Sequence, residues 1–130
     1  MLVMCPAHAS ARMSATLAFL EDSAGHACVR VYSGARPAST ADEPVGMLLV
    51  EIVLAKPAGA VSGVSLALQQ QEDGLIIETG VATWVRVLTA AGVIAMDMDC
   101  GDIDSQAEIK LPSLNLLAGG SARLMGATLS

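Results

Sequence analysis

Apolar residues recur every third or fourth position near the start of the chain and every second position through most of the remainder. Met13, Leu17 and Leu20 follow the first spacing, which places them on one face of a helix. We therefore predict a short helix over residues 10–22, with Ser10 as its N-cap. A helix this short needs a docking surface to be stable, so the rest of the chain must supply one.

The period changes to two at residue 28, where the pattern becomes typical of β-strands. Val29 and Val31 alternate with polar or aromatic neighbours, as in a strand that is buried on one face. Residues 34–46 (GARPASTADEPVG) are rich in Pro, Gly and short polar side chains, which indicates a loop. The run 47–54 (MLLVEIVL) predicts a second strand, and residues 56–63 (KPAGAVSG) predict another loop.

The clearest hairpin is predicted over residues 81–101. Its first strand alternates valines with Trp84 and Arg86. After the turn TAAG, the return strand alternates methionines with Asp97 and Asp99. The hairpin therefore has one apolar face and one face that carries charges.

The remaining segments bring the pattern to about seven or eight short strands after the helix. This order predicts a mainly β fold, an antiparallel β-sandwich or jelly-roll-like domain with a short N-terminal helix over residues 10–130. Residues 1–9 have no periodic pattern and are predicted to form a flexible N-terminal arm.

Composition limits the classes of partner. The chain has 130 residues, 53% of them apolar and only 2% aromatic, so one domain with an aliphatic core of Val, Leu, Ile, Met and Ala is expected. The net charge is −6, and the 7 basic residues are scattered singly, so direct nucleic-acid binding is not predicted. No apolar run approaches the ~20 residues of a membrane span, so no membrane partner is predicted either.

The cysteines and the chain start bear on the cellular compartment. Cys5, Cys28 and Cys100 form no CxxC pair, and their odd number argues against a closed disulfide framework. We interpret them as reduced thiols of a protein made in a reducing cytosol. The start MLVMCPAHASA resembles a signal peptide, but no Lys or Arg precedes its short apolar run, so no targeting role is predicted.

The acidic segment MDMDCGDID is the strongest candidate for a metal site. Calcium takes about 6–8 oxygen ligands, but the spacing here does not match a calcium loop with its distal Glu. We favour a solvated acidic turn and keep calcium as the minor alternative. His26 lies near Cys28, yet no second pair of zinc ligands exists. The four acidic residues are Asp97, Asp99, Asp102 and Asp104.

No group of residues predicts catalysis. The chain contains no GxSxG motif, and AGGSA lacks the lysine and the following helix of a phosphate-binding loop. We therefore predict a non-enzymatic protein with no catalytic residue, no cofactor and no resident metal. Tyr32 and Trp84 could line a sugar platform, but single aromatic residues on strands are more typical of sheet packing.

Residues 29–54 carry a resemblance to a known family. The strand VRVYSG, the turn ARPAS, a polar gap and the strand GMLLVEIVL are similar to a family of small structural proteins of tailed bacteriophages and prophages. GVATWVRVLTAAGVIAMDMDCG resembles that family's Trp-Arg strand and hairpin partner, and AEIKLPSLNLLAGGSARLMGATLS resembles its β-rich ending. The resemblance covers roughly residues 12–130 and is poor at 63–79.

Membership would imply a virion component without enzyme activity, assembled in the host bacterial cytoplasm. We expect a capsid decoration (cement) protein that forms a homo-oligomer and stabilises the head by binding other virion proteins, foremost the major capsid protein. A tail or head–tail connector protein is the alternative, and a β-sandwich module that recognises a host glycan is an alternative of another class. The expected interface residues are Met1, Leu2, Val3, Met4, Cys5, Pro6, Arg36, Pro37, Asp42 and Glu43.

Overall fold

A helix comes first and eleven β-strands follow it in the computed structural model, which describes residues 5–22 and 24–129. Within these residues no helix is both long and apolar enough to cross a membrane. The elements are α1 Pro6–Leu20, β1 Cys28–Tyr32, β2 Leu48–Ser62, β3 Ser65–Gln70, β4 Gly74–Leu75, β5 Gly80–Val81, β6 Trp84–Leu88, β7 Ile94–Gly101, β8 Ile109–Lys110, β9 Asn115–Leu116, β10 Ser121–Ala122 and β11 Gly126–Leu129.

Helix α1 begins earlier than predicted, at Pro6. Proline is favoured at the first helical position because its fixed φ suits a helix and its missing N–H would have no partner there. Ser10 is therefore inside the helix, and Cys5 holds the N-cap position without a side-chain hydrogen bond. Residues 6–9 are helical, which corrects the predicted boundary of the arm. Residues 1–4 of that arm lie outside the described part of the chain.

Seven strands pair side by side in the order β1-β2-β3-β11-β8-β7-β6, and β6 pairs again with β1, so the main sheet closes into a barrel. The predicted mainly β fold with an N-terminal helix is confirmed. The predicted sandwich or jelly roll is not what the main sheet forms. Strands β1 and β6 are distant in sequence but pair along their whole length, and this pairing closes the sheet on itself.

Strand β2 bends between its two neighbours, β1 and β3. Its first part pairs with β1, its last residues pair with β3, and the register shifts between Leu54 and Gly59. Such a bulge bends a strand and lets a sheet curve into a barrel. The loop predicted at residues 56–63 is wrong because pairing resumes after the bulge. A Cβ at Gly59 would lie 2.2 Å from the Ala67 carbonyl oxygen, so the close approach of the strands requires glycine.

The predicted hairpin is confirmed as β6 and β7. Val85 lies opposite Met98, and Val87 lies opposite Met96, on the face that points into the barrel. The turn between the strands contains Gly92 with φ 85°, a left-handed conformation that favours glycine.

The barrel interior is aliphatic, as the composition predicts. Met13 and Leu20 of α1 join the same cluster as the inward side chains of the strands, so the helix docks on the core of the barrel. Apart from Trp84, the largest side chains with almost no exposure are Leu20, Leu49, Ile52, Leu54, Leu66, Ile109, Leu111, Val29, Val31, Val50 and Val85.

A further pair of chain segments, residues 74–82 and 114–122, lies against the barrel. It contains the ribbons β4–β10 and β5–β9, and we call it the outer ladder. Ile76 pairs with Val50 of β2 and is 4% exposed, so the inner face of the outer ladder extends the core.

The end of the helix is tied to β2 through Glu21. Its carboxylate accepts hydrogen bonds from Lys56 Nζ, at 2.8 Å, and from the backbone N–H of Ala58. Burial alone raises the pKa of Glu21, but the hydrogen bonds and the charge of Lys56 outweigh burial and hold the pKa below its ordinary value. The ionised carboxylate therefore stabilises the folded state.

We expect Glu21→Gln to destabilise the protein by about 1–2 kcal/mol at neutral pH, because hydrogen bonds to a charged group are lost. Since folding lowers the pKa of Glu21, its contribution is complete above the ordinary Glu pKa and is lost as the pH falls through the lower folded value. Urea unfolding of both proteins at neutral and at acidic pH measures this contribution. The difference in unfolding free energy should shrink on acidification, and an equal difference at both pH values would contradict the prediction. Glu72→Gln, at an exposed position, is the control.

Candidate functional site

A row of four charged side chains crosses the outside of the barrel from β2 to β7. The register places Arg30 opposite both Glu51 and Arg86, and it places Arg86 opposite Asp97. Like charges directly opposite each other on neighbouring strands are destabilising. Each arginine is therefore balanced by a carboxylate on its other side. We call these four residues the charge row.

The two ion pairs of the charge row differ in their exposure. Arg30 Nε lies 2.9 Å from Glu51 Oε1, and both side chains are about two-fifths exposed, at 39% and 43%. The hydrogen bond from Arg30 lowers the pKa of Glu51 despite its partial burial. The side chains of Arg86 and Asp97 are only 5% and 7% exposed. Solvent therefore screens the first pair but not the second.

The buried pair has a two-point geometry. Arg86 donates from Nε to Asp97 Oδ1 at 2.7 Å and from Nη2 to Asp97 Oδ2 at 3.0 Å. The hydrogen bond to Asp97 raises the pKa of Arg86, against the opposing effect of burial. Two parallel hydrogen bonds fix orientation as well as distance. The pair therefore holds β6 and β7 in one register.

Tyr32 and Trp84 stack beside the charge row. Their ring centroids are 4.5 Å apart with the planes at 13°, and the Arg86 guanidinium carbon lies 5.3 Å from the Trp84 ring centroid. Tyr32 is 7% exposed and Trp84 is fully buried, so the predicted sheet-packing role is confirmed. The two rings do not present the open aromatic face on which the glycan alternative depends.

A loop over residues 33–47 connects β1 to β2 and contacts Arg86 of β6, and we call it the anchored loop. Its two ends are joined at the base, where Ser33 N donates to Met47 O at 3.1 Å and Met47 N donates to Ser33 Oγ at 3.1 Å. A Cβ on Gly46 would lie 1.8 Å from the Ser33 carbonyl oxygen, so only glycine allows this closure.

Two further contacts fix the middle of the anchored loop. Arg36 Nη1 lies 3.3 Å from Asp99 Oδ1, in an exposed pair that contributes little stability. The Asp42 carbonyl oxygen accepts a hydrogen bond from Arg86 Nη2 at 3.1 Å. This second contact connects the loop to the buried pair. The position of the loop therefore depends on the same guanidinium that fixes the register of β6 and β7.

The structure brings the four predicted interface residues of the loop together. Arg36, Asp42 and Glu43 are exposed on the anchored loop, and Pro37 is half-buried. Asp42 anchors the loop through its backbone carbonyl, so its side chain takes no part in that hydrogen bond. These three charged side chains can meet a partner in the orientation that the anchors impose.

The predicted residues of the arm are not joined to the loop. Cys5 and Pro6 are exposed at the start of α1, whose main contacts are with β2 and β3. The anchored loop lies instead over β6 and its neighbours. Met1, Leu2, Val3 and Met4 lie outside the described residues.

Two shallow clefts flank the anchored loop. One of about 230 Å³ is lined by Arg30, Arg86, Glu43 and nearby loop residues. The other, of about 420 Å³, is lined by residues 36–40 and Asp97. Both combine charges of opposite sign with backbone groups, a lining that suits polar contacts at the rim of a protein interface.

The cysteines are free thiols, and two of them are poor nucleophiles. Burial and the hydrogen bond to Glu51 raise the pKa of Cys28 to about 12, while burial and the charge of Asp99 raise the pKa of Cys100 to about 11. Both side chains are therefore protonated at neutral pH. Cys5 is exposed.

The candidate metal ligands are separated from one another or already form ion pairs or hydrogen bonds within the protein. Asp97 and Asp99 each pair with an arginine, and Asp102 accepts the backbone N–H of Asp104 at 3.0 Å. Nδ1 of His26 donates to a backbone carbonyl at 2.8 Å. Across residues 5–22 and 24–129, no three His, Cys, Asp or Glu side chains are grouped so that they could hold a metal ion.

Comparisons of this chain with protein-family models, with curated proteins and with solved structures give no match in any of the three. The resemblance to structural proteins of tailed bacteriophages therefore stays a prediction. Function has to be argued from the surface features of this chain.

The pairing of Arg86 with Asp97 is missing from the sequence-based prediction, although the hairpin contains the signal for it. Both residues are expected on the outward face, and the turn between their strands sets which positions lie opposite each other. No such local signal indicates that Arg30 lies beside Arg86, because β1 and β6 are distant in sequence.

We expect Arg86→Met to destabilise the protein by about 3–5 kcal/mol, because Asp97 stays buried without its partner. The double change R86M/D97L should cost much less than the sum of the single changes, since it removes both charges. Guanidinium chloride unfolding of the three variants at neutral pH gives the coupling energy.

The exposed pair of the charge row is the matched control for this experiment. The same cycle with Arg30→Met and Glu51→Leu should give a coupling energy of no more than about 1 kcal/mol, because solvent screens this pair. Equal coupling energies for the two pairs would show that burial is not what makes the Arg86–Asp97 contact strong.

Proposed function

We propose that this chain is a non-enzymatic structural protein of a bacteriophage virion, and that the anchored loop is a surface through which it contacts a neighbouring virion protein. The observation that carries the proposal is that the buried Arg86–Asp97 pair positions a surface loop. Arg86 and Asp97 hold an exposed, charged loop in place. Neither is directed at a nucleophile or an acid–base partner.

A prearranged loop favours binding because less conformational entropy is lost when the partner docks. The anchored loop is closed at its base by Gly46 and held in its middle by the carbonyl of Asp42, while the side chains of Asp42 and Glu43 stay exposed. Charged residues at the rim of an interface contribute mainly to specificity and association rate. These properties suit a contact that must form in one orientation.

Within the virion, we propose capsid decoration before a tail or head–tail position. In a symmetric shell the same modest contact is repeated many times, so a weak interface on each copy still reinforces the whole. The major capsid protein is the proposed partner, and assembly would take place in the bacterial cytoplasm. The support for the phage setting is the resemblance of residues 29–54 and of the later hairpin and ending.

The experiment uses particles of the phage or prophage that carries this gene. We expect the chain in purified particles and, after heads and tails are separated, in the head fraction. Its absence from purified particles would refute the virion proposal, and its presence only in tails would replace decoration with the tail alternative. Retention on a glycan array with no incorporation into particles would favour the glycan-binding class instead.

We expect the double charge reversal D42K/E43K to lower the number of copies per particle about tenfold, which corresponds to about 1.4 kcal/mol of binding free energy. Both side chains are exposed, so the fold should be retained. Quantitative mass spectrometry of purified particles measures the occupancy. The control D22K/D104K reverses two exposed acids outside the loop and should leave the occupancy unchanged. Unchanged occupancy of the D42K/E43K variant would exclude the loop as the contact surface.

A further inference from the structure

A cleft of about 270 Å³ lies beside β9 and β10, away from the anchored loop, and we call it the ladder cleft. Three of its lining residues, Ile76, Leu116 and Ala122, are apolar and no more than 5% exposed, so they form its floor. An apolar floor with a few polar groups around it is the usual composition of a small-ligand site. The exposed lining residues are Asp73, Pro112, Ser113, Asn115, Ser121 and Arg123, and all but Pro112 are polar.

The carboxylate of Asp73 is held in one orientation at the ladder cleft. Gln70 Nε2 donates to Asp73 Oδ1 at 2.7 Å, and Gln70 Oε1 accepts from the backbone N–H of Leu124 at 2.6 Å. The Gln70 amide therefore connects two chain segments and orients the carboxylate between them. Within residues 5–22 and 24–129, no hydrogen bond reaches Asp73 Oδ2, which stays available as an acceptor.

A base lies opposite this acid and does not pair with it. Ala122 lies opposite Gly74, so Arg123 and Asp73 come next on the two neighbouring segments. An in-register acid and base elsewhere in the barrel, Arg86 and Asp97, close to 2.7 Å, yet no ion pair joins Arg123 to Asp73. Arg123 forms no ion pair or hydrogen bond within the described residues. The ladder cleft therefore has an oriented negative group and an unpaired positive group side by side.

Asn115 adds a neutral polar group to the same cleft. Its backbone N–H donates to Ser113 Oγ at 3.2 Å, which fixes the chain at this point. Its side-chain amide has no hydrogen bond to any described residue and can both donate and accept. It can therefore contact either charged group of a ligand.

We propose that the ladder cleft binds a free zwitterionic α-amino acid with an aliphatic side chain. The ammonium group meets Asp73, the carboxylate meets Arg123, and the side chain lies on the apolar floor. One acid and one base in the cleft balance each other, so an anion or a cation alone would leave one of them without a partner. Side chains opposite each other on neighbouring strands are about 5 Å apart at Cβ, which suits a ligand with both charges on one carbon. This site is independent of the proposed virion role and of the anchored loop.

The openness of the site determines how tightly it can bind. Its volume is slightly below the roughly 300–1,000 Å³ of sites for drug-sized ligands, so only a small ligand fits. Asp73 and Arg123 are both exposed, and solvent screens their attraction for a ligand. The dissociation constant is therefore on the order of millimolar.

The test is an NMR titration of the isotope-labelled full chain with L-leucine at neutral pH. We expect saturable shifts of backbone amides around residues 113–123. N-acetyl-L-leucine lacks the ammonium, L-leucinamide lacks the carboxylate and glycine lacks the aliphatic side chain, so each should bind at least about tenfold more weakly. The neutral sugar methyl glucoside should not bind.

Two variants test the assigned roles. Arg123→Met and Asp73→Asn should each raise the dissociation constant for L-leucine at least about tenfold, because one charged partner is lost. Asn at position 73 keeps the acceptor that Gln70 uses, so the change removes the charge and not the orientation. The matched controls Arg36→Met and Asp22→Asn, at exposed positions outside the cleft, should leave the constant unchanged. The emission of the single, buried Trp84 reports whether each variant is folded.

Several results would overturn the proposal. They are the absence of saturable shifts with L-leucine, equally tight binding of methyl glucoside, and an unchanged dissociation constant in both cleft variants. Equal weakening by the control variants would show that the charge of the whole chain, and not the ladder cleft, governs binding, and it would overturn the proposal as well.

Discussion

Closure of the barrel between β1 and β6 is the constraint on which the outer surface depends. This pairing sets Arg30 directly against Arg86, two positive charges on adjacent strands. The arrangement is stable because the strands on either side supply Glu51 and Asp97 at the same level. A shift of one residue in any of these pairings would turn the arginines towards the aliphatic interior. The charge row and the closed barrel therefore require each other.

The Arg86–Asp97 pair is the buried half of the charge row, and its burial determines how the anchored loop is held. A desolvated guanidinium needs all its donors satisfied, and Asp97 alone does not satisfy Arg86. The anchored loop supplies one further acceptor, the carbonyl of Asp42, and the Trp84 ring centroid lies 5.3 Å from the guanidinium carbon. The Arg86 side chain therefore contacts the loop, the stacked Trp84 ring and the neighbouring strand at once. A buried ion pair of this kind contributes more to the uniqueness of the arrangement than to net stability.

The parts of this fold that local pattern determines could be predicted from the sequence, and the parts that distant pairing determines could not. Alternation over residues 81–101 is enough to predict the β6–β7 hairpin with Arg86 and Asp97 on its outer face. Nothing local reveals that β1 returns to β6, so a sandwich and a barrel are equally compatible with the same run of strands. Pro57 and Gly59 have the composition of a loop, yet they form a bulge within β2. The interface residues of the loop are identifiable from its Pro-rich composition, but their anchoring depends on that closure.

A closed barrel also limits how this chain can contact other proteins. Strand addition requires an open sheet edge, and the main sheet has none because β6 and β1 complete it. On the barrel itself, contacts must then be made by loops or by side chains that project outward. The chain presents one surface of each kind: a charged loop held by Arg86, and an apolar face on the outer ladder around Ile77. The loop carries exposed charge and the outer ladder carries exposed apolar area, so the two surfaces differ in chemistry.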